Sequence, residues 1–469
     1  MHVGATGPVL HYLSWSRPSC DRQLLTHPIR GRGPGVVHVY CSEAGIIFQL
    51  HRGALSNCQV WRLQLFPSTS NQSDSSMKDV YQVCLLGCGH RGRAQARAYK
   101  AHPRMNLRAL CDIDRDRLNQ LGVKLGVSSL YADLDEMIRK ECPDIVLIPT
   151  ATQFHFPLTK RVLEHGCHID VEKPISEHLD QADELLSLAS SRKLRIAVHH
   201  QWRTAPAAAA IAKALQTGRI GKLRYMYASG KGYYGGYGLP NIGTHLLNML
   251  FELAGRVRTV SASVLTDGRD IGPEDVLHSP AGMGIVAGEN VTALLEFENG
   301  VCATLLQHRF ETMDLNAHVV EVYGSEGRLL WRPHGAFWLP SPAIPPGPNL
   351  SNPPGENAHW EPLEPLVPDT WDPGMDCQVD EYTFVDHYVR ALDEDRDHPS
   401  SGQEGRHVLE VINAIFLSAV ERRLVSIAGL PRSHPLVEFR KAAGLSPEPE
   451  PAPFNPREWL EVEDRRLGR

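Results

Sequence analysis

Apolar and polar positions follow two different rhythms along this chain. From Tyr81 to about Ala197, short apolar runs take turns with stretches of helical period, the pattern of a parallel sheet joined by crossover helices. Gln82 to Leu86 and Leu107 to Cys111 read as its first two strands. Asp144 to Ile148 is a continuous apolar strand of the kind buried on both faces. Helices are predicted over about Arg115 to Leu125, Asp133 to Lys140 and Pro157 to His165, the last closed by Gly166 as a C-cap. Beyond Leu223 the period shortens to two. Leu223 to Ser229, Val257 to Leu265, Asn290 to Glu298, Cys302 to His308, Val319 to Tyr323 and Arg328 to Trp331 read as strands, with Glu298-Asn299-Gly300 as a hairpin turn. Residues 339–373, crowded with Pro, Asn and Gly, read as a long irregular loop. Residues 1–79 carry neither rhythm and close on the polar tract Ser68 to Ser76, which reads as a disordered lead-in.

Between the first strand and the helix after it stands Gly87-Cys88-Gly89-His90-Arg91-Gly92. A dinucleotide site needs Gly-x-Gly-x-x-Gly in that order. The first glycine allows the tight turn, the second admits the pyrophosphate, and the third lets helix and strand pack closely. The diphosphate then rests on the N–H groups of the helix start, where the dipole favours negative charge. Asp112 ends the second apolar run about 20 residues past Gly92, the offset at which a carboxylate reaches the adenosine ribose. It would repel a 2′-phosphate, so NAD is expected over NADP, although Arg115 nearby could hold that phosphate. The strand ending at Ile148 leads into Pro149 to His155, a loop at a strand's C-terminal end where open α/β sheets bind ligands, with Thr150 and His155 as candidates.

Composition narrows the class. The chain has 469 residues, enough for two or three domains, and 42% hydrophobic with 22% charged residues is ordinary for a globular protein. A formal charge of −6 offers no basic footprint for nucleic acid. No apolar run is long enough for a membrane span. Ten scattered cysteines without a Cys-x-x-Cys pair read as buried hydrophobes in a reducing compartment, so a cytoplasmic location is expected and no metal site. His199 and His200, adjacent on a strand, point to opposite faces and make a poor metal pair. The basic opening faintly resembles a transit peptide but is broken by Pro8, Pro18 and Pro28. Met77 is a plausible true start.

The glycine motif, the acidic end of the second strand, the loop ending in His155 and above all Glu172-Lys173-Pro174 after a strand together resemble the Gfo/Idh/MocA oxidoreductases. Arg203, Pro206, Thr217 to Gly221, and Ser401 to Arg406 opening a helix to about Val420 extend the likeness over roughly residues 81–430. The resemblance implies a Rossmann domain at 80–200, of parallel doubly wound α/β type. It implies a second, α+β domain at 201–430 with a large, open, mostly antiparallel sheet whose outer face serves homodimers or homotetramers. A tail then covers 431–469. It also implies that Gly87, Gly89, His90, Arg91, Gly92, Asp112, Thr150, His155, Glu172 and Lys173 hold the dinucleotide.

The chemistry is expected from Lys173 and from Asn241-Ile242-Gly243-Thr244-His245, after a Gly/Tyr loop. Asn241, His245 and Asn248 share one helix face, opposite Leu246, Met249, Leu250 and Leu253. In relatives the Gly-x-His histidine is catalytic. His245 has the pKa range of a general base, and Lys173 can bond the substrate oxygen. Asn241 stands where inositol-dehydrogenase-like relatives carry Asp, and a neutral amide can orient an imidazole without neutralising its cation. Ala151 likewise replaces the usual proline. Trp202, Arg203, Tyr233, Tyr234, Tyr237 and Asn248 are the expected substrate residues, with an interdomain ion pair equally open for Arg203. The expected function is NAD(P)-dependent oxidation of a hydroxyl on a sugar, inositol or similar polyol. An NAD-dependent glycosidase of the same fold, or a dinucleotide-binding regulator without turnover, are the alternatives.

Overall fold

A computed structural model describes residues 37–41, 46–52, 61–65, 78–310, 317–333, 335–342 and 359–469. The chain divides into two compact units, Met1–Ser75 and Ser76–Arg469. In the first, strands Val37–Cys41, Ile46–Arg52 and Trp61–Leu65 pair antiparallel in that order. These strands stand where residues 1–79 were expected to be a disordered lead-in, and the remainder up to residue 77 lies outside the described residues.

The second unit begins with β1 (Tyr81–Leu86), α1 (His90–Ala101), β2 (Met105–Cys111), α2 (Arg115–Leu125), β3 (Ser129–Tyr131), α3 (Leu134–Glu141), β4 (Ile145–Ile148), α4 (His155–Glu164), β5 (His168–Val171), α5 (Leu179–Ser191) and β6 (Ile196–Val198). Their order is β3-β2-β1-β4-β5-β6, with every neighbour parallel. Both faces are buried, as the unbroken apolar runs required. Val83, Leu85, Leu110, Ile145 and Leu147 face one core, and Cys84, Leu86, Ala109, Val146 and Ile148 face the other. The chain reverses direction across the sheet between β1 and β4, and the crevice outside their C-terminal ends is where such sheets take ligands.

The second sheet is built from β7 (Leu223–Ser229), β8 (Val257–Thr266), β9 (Asn290–Phe297), β10 (Cys302–His308), β11 (Val319–Gly324), β12 (Arg328–Arg332) and β13 (Gly335–Leu339). The order is β8-β9-β10-β7-β11-β12-β13, antiparallel except for the parallel pair β7–β10. One face is core, with Met226, Ala228, Val291, Ala293, Leu295, Ala303, Leu305, Val320 and Val322. The other is open: Leu294 is 43% exposed there. The hairpin forms at Glu298–Gly300, where the Gly300 N–H donates to the Phe297 carbonyl.

Further helices complete the unit. α8, counted after the short Gln201–Thr204 (α6) and Pro206–Gln216 (α7), is Thr244–Ala254, entered through a π-helical turn at Leu239–Gly243. α9 (Val379–Asp393) was not anticipated. Although late in the chain, it buries Phe384, Val385, Tyr388 and Val389 in the core under β1 and β4. After α10 (Gly402–Glu421), the segment expected as a tail includes α11 (Pro456–Arg466), whose Trp459 is buried beside Tyr234. No described helix is long and apolar enough to cross a membrane.

Candidate active site

The glycine loop joins β1 to α1 at the reversal point. A Cβ on Gly92 would stand 1.9 Å from the Gly87 carbonyl oxygen, so only glycine lets the helix approach the strand this closely. Above Gly89 the space is open. α1 starts with no side-chain cap and no acid in its first turn, which leaves its N–H groups and dipole to an outside anion. Asp112 accepts the Cys88 N–H at 2.7 Å and the Asp114 N–H at 2.8 Å, and its remaining lone pairs can still take ribose hydroxyls. Thr150 abuts Gly87, and its Oγ1 is buried without a partner among the described residues. Open loop, uncapped helix, β2 carboxylate and orphan hydroxyl together fit a dinucleotide. His90 is exposed at the helix start.

Three other expected cofactor residues have protein partners. His155 is fully buried, its two ring nitrogens 2.7 Å from the Pro174 carbonyl and 3.0 Å from that of Thr150, so it braces two loops from beneath. Arg91 turns under α1 to meet Glu172 and Glu381. Glu172 is thereby spent on Arg91 and Gln95. A chain of alternating charge continues inward. Glu381 bonds His199 at 2.8 Å, His199 meets Asp170 at 2.9 Å, and Asp170 accepts the Tyr99 hydroxyl at 2.8 Å. Burial by itself would raise the Glu172 and Glu381 carboxyls, yet Arg91 and His199 outweigh it and hold both at about 2. Burial would likewise lower His199, but its two carboxylates raise it to about 10.

Lys173 leaves the end of β5 toward the C-terminal edge of the sheet. Its Nζ donates to Asn241 Oδ1 at 3.1 Å and to the Asn241 carbonyl at 3.3 Å. Asn241 also bonds the Tyr237 hydroxyl. The polar residue before the histidine therefore steadies the lysine. Burial, aided by Arg91 and Lys231 and opposed by Glu172, lowers Lys173 to about 8. His245, one turn on, is buried with its ring 5.5 Å from that of His200 and 4.5 Å from Trp202. Burial first, then Lys173, His200 and Arg91, keep it well below the ordinary imidazole value, so it is neutral. His245 Nδ1, His200 Nε2 and Asn248 Nδ2 are buried without partners among the described residues. Buried orphans of this kind are rare in a finished structure, and three on neighbouring groups mark a place for a polar ligand.

Trp202 forms the wall beside them, stacked on His318 at 4.3 Å and close to Trp331 at 5.2 Å. Arg203 takes the structural of its two readings. It pairs with Glu252 at 3.0 Å and Glu404 at 2.7 Å, and reaches the Asn248 Oδ1 at 3.4 Å, while the Asn248 Nδ2 stays buried without a partner among the described residues. Tyr234, expected at the substrate, is fully buried the other way, its hydroxyl donating to Glu463 of α11 at 2.9 Å. Tyr233 is half-buried against Tyr237 at 5.8 Å. Sequence reasoning passed over His200, Lys231, His318 and Trp331. The adjacent histidines had been weighed only as metal ligands, and the other three come from separate segments with no shared motif.

Residues 81–200 match the profile of an oxidoreductase family with an NAD-binding Rossmann fold, and residues 208–330 match the GFO/IDH/MocA C-terminal domain. A D-apiose dehydrogenase of Paraburkholderia graminis is 25% identical over 376 residues, spanning 76% of this chain and 92% of that protein. Among solved structures, an oxidoreductase from Agrobacterium radiobacter in complex with NAD+, L-tartaric acid and magnesium superposes with a TM-score of 0.59 at 20% identity, over 75% of this chain and 99% of that one. A levoglucosan dehydrogenase in complex with NADH and levoglucosan does so with a TM-score of 0.60 at 18% identity, over 74% and 99%.

Proposed function

This chain belongs to the Gfo/Idh/MocA family of NAD-binding oxidoreductases, and from that premise we propose that it oxidises, reversibly, a secondary hydroxyl of a sugar, inositol or similar polyol. The observation that carries the reading is the meeting of Lys173, His245 and the orphan amide of Asn248 beside the Trp202 plate. Dehydrogenases of apiose and levoglucosan among the relatives support the substrate class.

Gly87, Gly89, Gly92, Thr150 and Asp112 would hold the dinucleotide, and the carboxylate favours NAD over NADP. NAD supplies the hydride acceptor. The hydroxyl proton must leave as the hydride does, and the family reading assigned it to His245. A buried imidazole among cations, with a neutral Asn241 nearby, has nothing to stabilise its charged form. Lys173, poised at about 8, is the better acceptor. It donates to Asn241 while its lone pair takes the proton, and the resulting ammonium offsets the charge that develops on the substrate oxygen. His245 stays neutral and orients the hydroxyl. Tyr237 acts through Asn241. The assignment divides the unit into a dinucleotide half, 80–200 joined by α9, and a substrate half from 201. The open face of the second sheet would carry a homodimer or homotetramer, and the unpaired described cysteines suit the cytoplasm.

The test is NADH formation across a panel of sugars and inositols. Lys173→Ala and His245→Ala should keep dinucleotide affinity and lose turnover by about 100-fold or more. Undiminished turnover in Lys173→Ala would sink the assignment.

A further inference from the structure

Lys231 lies over the ring of Trp202, and among the described residues no carboxylate pairs with it. The backbone around it is pinned at both flanks. A Cβ on Gly230 would come within 2.1 Å of the Gln307 amide, and one on Gly232 within 2.6 Å of the Phe310 ring. Gly230 N–H donates to the Leu306 carbonyl at 3.0 Å, and Phe310 N–H to the Gly232 carbonyl at 3.1 Å. Of the three residues 230–232, Lys231 therefore has the one side chain, and it stands over the Trp202 ring at 5.9 Å. Trp202 is the residue that packs on His245 at 4.5 Å. The Lys231 charge is also felt at Lys173.

The anions around this wall are already committed. Glu172 serves Arg91, and Glu252 and Glu404 serve Arg203. Among the described residues no carboxylate lies within ion-pair distance of Lys231, and burial lowers its pKa with no charge opposing. A half-buried ammonium held in place without a counter-ion costs free energy that a ligand of opposite charge recovers.

Resting on the dehydrogenase reading above, we propose that Lys231 is a specificity-determining residue and that the substrate is an anionic polyol, a sugar acid or sugar phosphate, whose charged group pairs with it while the reacting hydroxyl lies at Lys173. Trp202 would carry the sugar between the Lys231 ammonium, which pairs with the charged group, and the neutral Lys173 amine, which takes the proton of the reacting hydroxyl.

The experiment compares neutral sugars with aldonates, uronates and sugar phosphates of matching configuration, in the wild-type protein, Lys231→Met and Lys231→Arg. Binding of each compound to the protein–NADH complex is read in parallel by NADH fluorescence. The expected result is kcat/KM favouring one anionic class. Lys231→Met should lose roughly 10- to 100-fold more on that class than on neutral sugars, mostly in KM, and Lys231→Arg should recover most of that difference. NADH affinity should not move. The carboxylate and phosphate arms tell the two sources of charge apart. Anion binding that depends on Lys231 without turnover of any compound upholds Lys231 as the anion-binding residue and overturns the dehydrogenase assignment. Turnover of neutral polyols indifferent to charge and to Lys231→Met does the reverse. Lost thermal stability with unchanged selectivity overturns the inference too.

Discussion

At the scale of single residues, the centre turns on which group can bear a positive charge. His245 has cations on every charged side and Lys173 has Glu172 against it, so one proton shared between them belongs to the lysine. Only the neutral amine can accept a proton from the substrate. Oxidation should therefore rise with pH through about 8 and level off above, and the reverse reduction should fall over the same interval. Asn241→Asp places a carboxylate where Lys173 now meets a neutral amide. It stabilises the ammonium, so the midpoint of the oxidation profile should move up by about one unit or more. An unmoved pH–rate profile in that variant would show that Lys173 is not the titrating group.

Between elements, the line of charge from Glu172 through Arg91, Glu381 and His199 to Asp170 ties α1, β5, the end of β6 and α9 into one block under the dinucleotide loop. Such pairs stabilise little against an apolar replacement, but removing one member strands its partners. Glu381→Ala leaves Arg91 and His199 facing each other's charge and should cost about 3 kcal/mol or more, seen as a lower denaturation midpoint. The pH dependence has a definite sign. His199 is raised in the folded state to about 10, so its contribution is complete below its unfolded value of 6.5 and is lost as pH climbs through about 10. Glu172 and Glu381 are lowered to about 2, so theirs is present above the unfolded 4.5 and lost as pH drops through about 2. Thermal midpoints that vary steeply between about pH 5 and 6 would contradict this arrangement.

Over the whole unit, the C-terminal helix reaches back to the loop that presents the site. Trp459 Nε1 donates to the His278 carbonyl at 2.7 Å, Glu463 holds Tyr234, and Asp464 takes a two-pronged bond from Arg309. Tyr234 is three residues before Tyr237, which bonds Asn241. The helix therefore acts on the site through the loop. Trp459→Ala should lower stability by about 3–5 kcal/mol and raise KM for the polyol, while dinucleotide affinity stays near the wild-type value. Equal losses of both affinities would mean that α11 supports the fold generally and not the loop.

Much of this molecule is local, and what is local was readable. Turn and cap chemistry put α2 at Arg115–Leu125 in sequence and structure alike, because Asp114 caps one end and Gly126 the other within the segment itself. Period-two alternation marked the second sheet, and three glycines at set spacing marked the dinucleotide turn, since each reports a backbone constraint its neighbours impose. Glu-Lys-Pro and Gly-x-His pointed to Lys173 and His245 through resemblance. What each side chain then does was decided by partners far away in the chain. Arg91 pairs with Glu381, which arrives from α9, and His199 finds that same carboxylate 182 residues on. Tyr234 faces α11 for the same reason, and Lys173 meets Asn241 across 68 positions. Periodicity records which face of an element is apolar. The field at a titrating group is a sum over everything folded against it, and only the tertiary structure performs that sum.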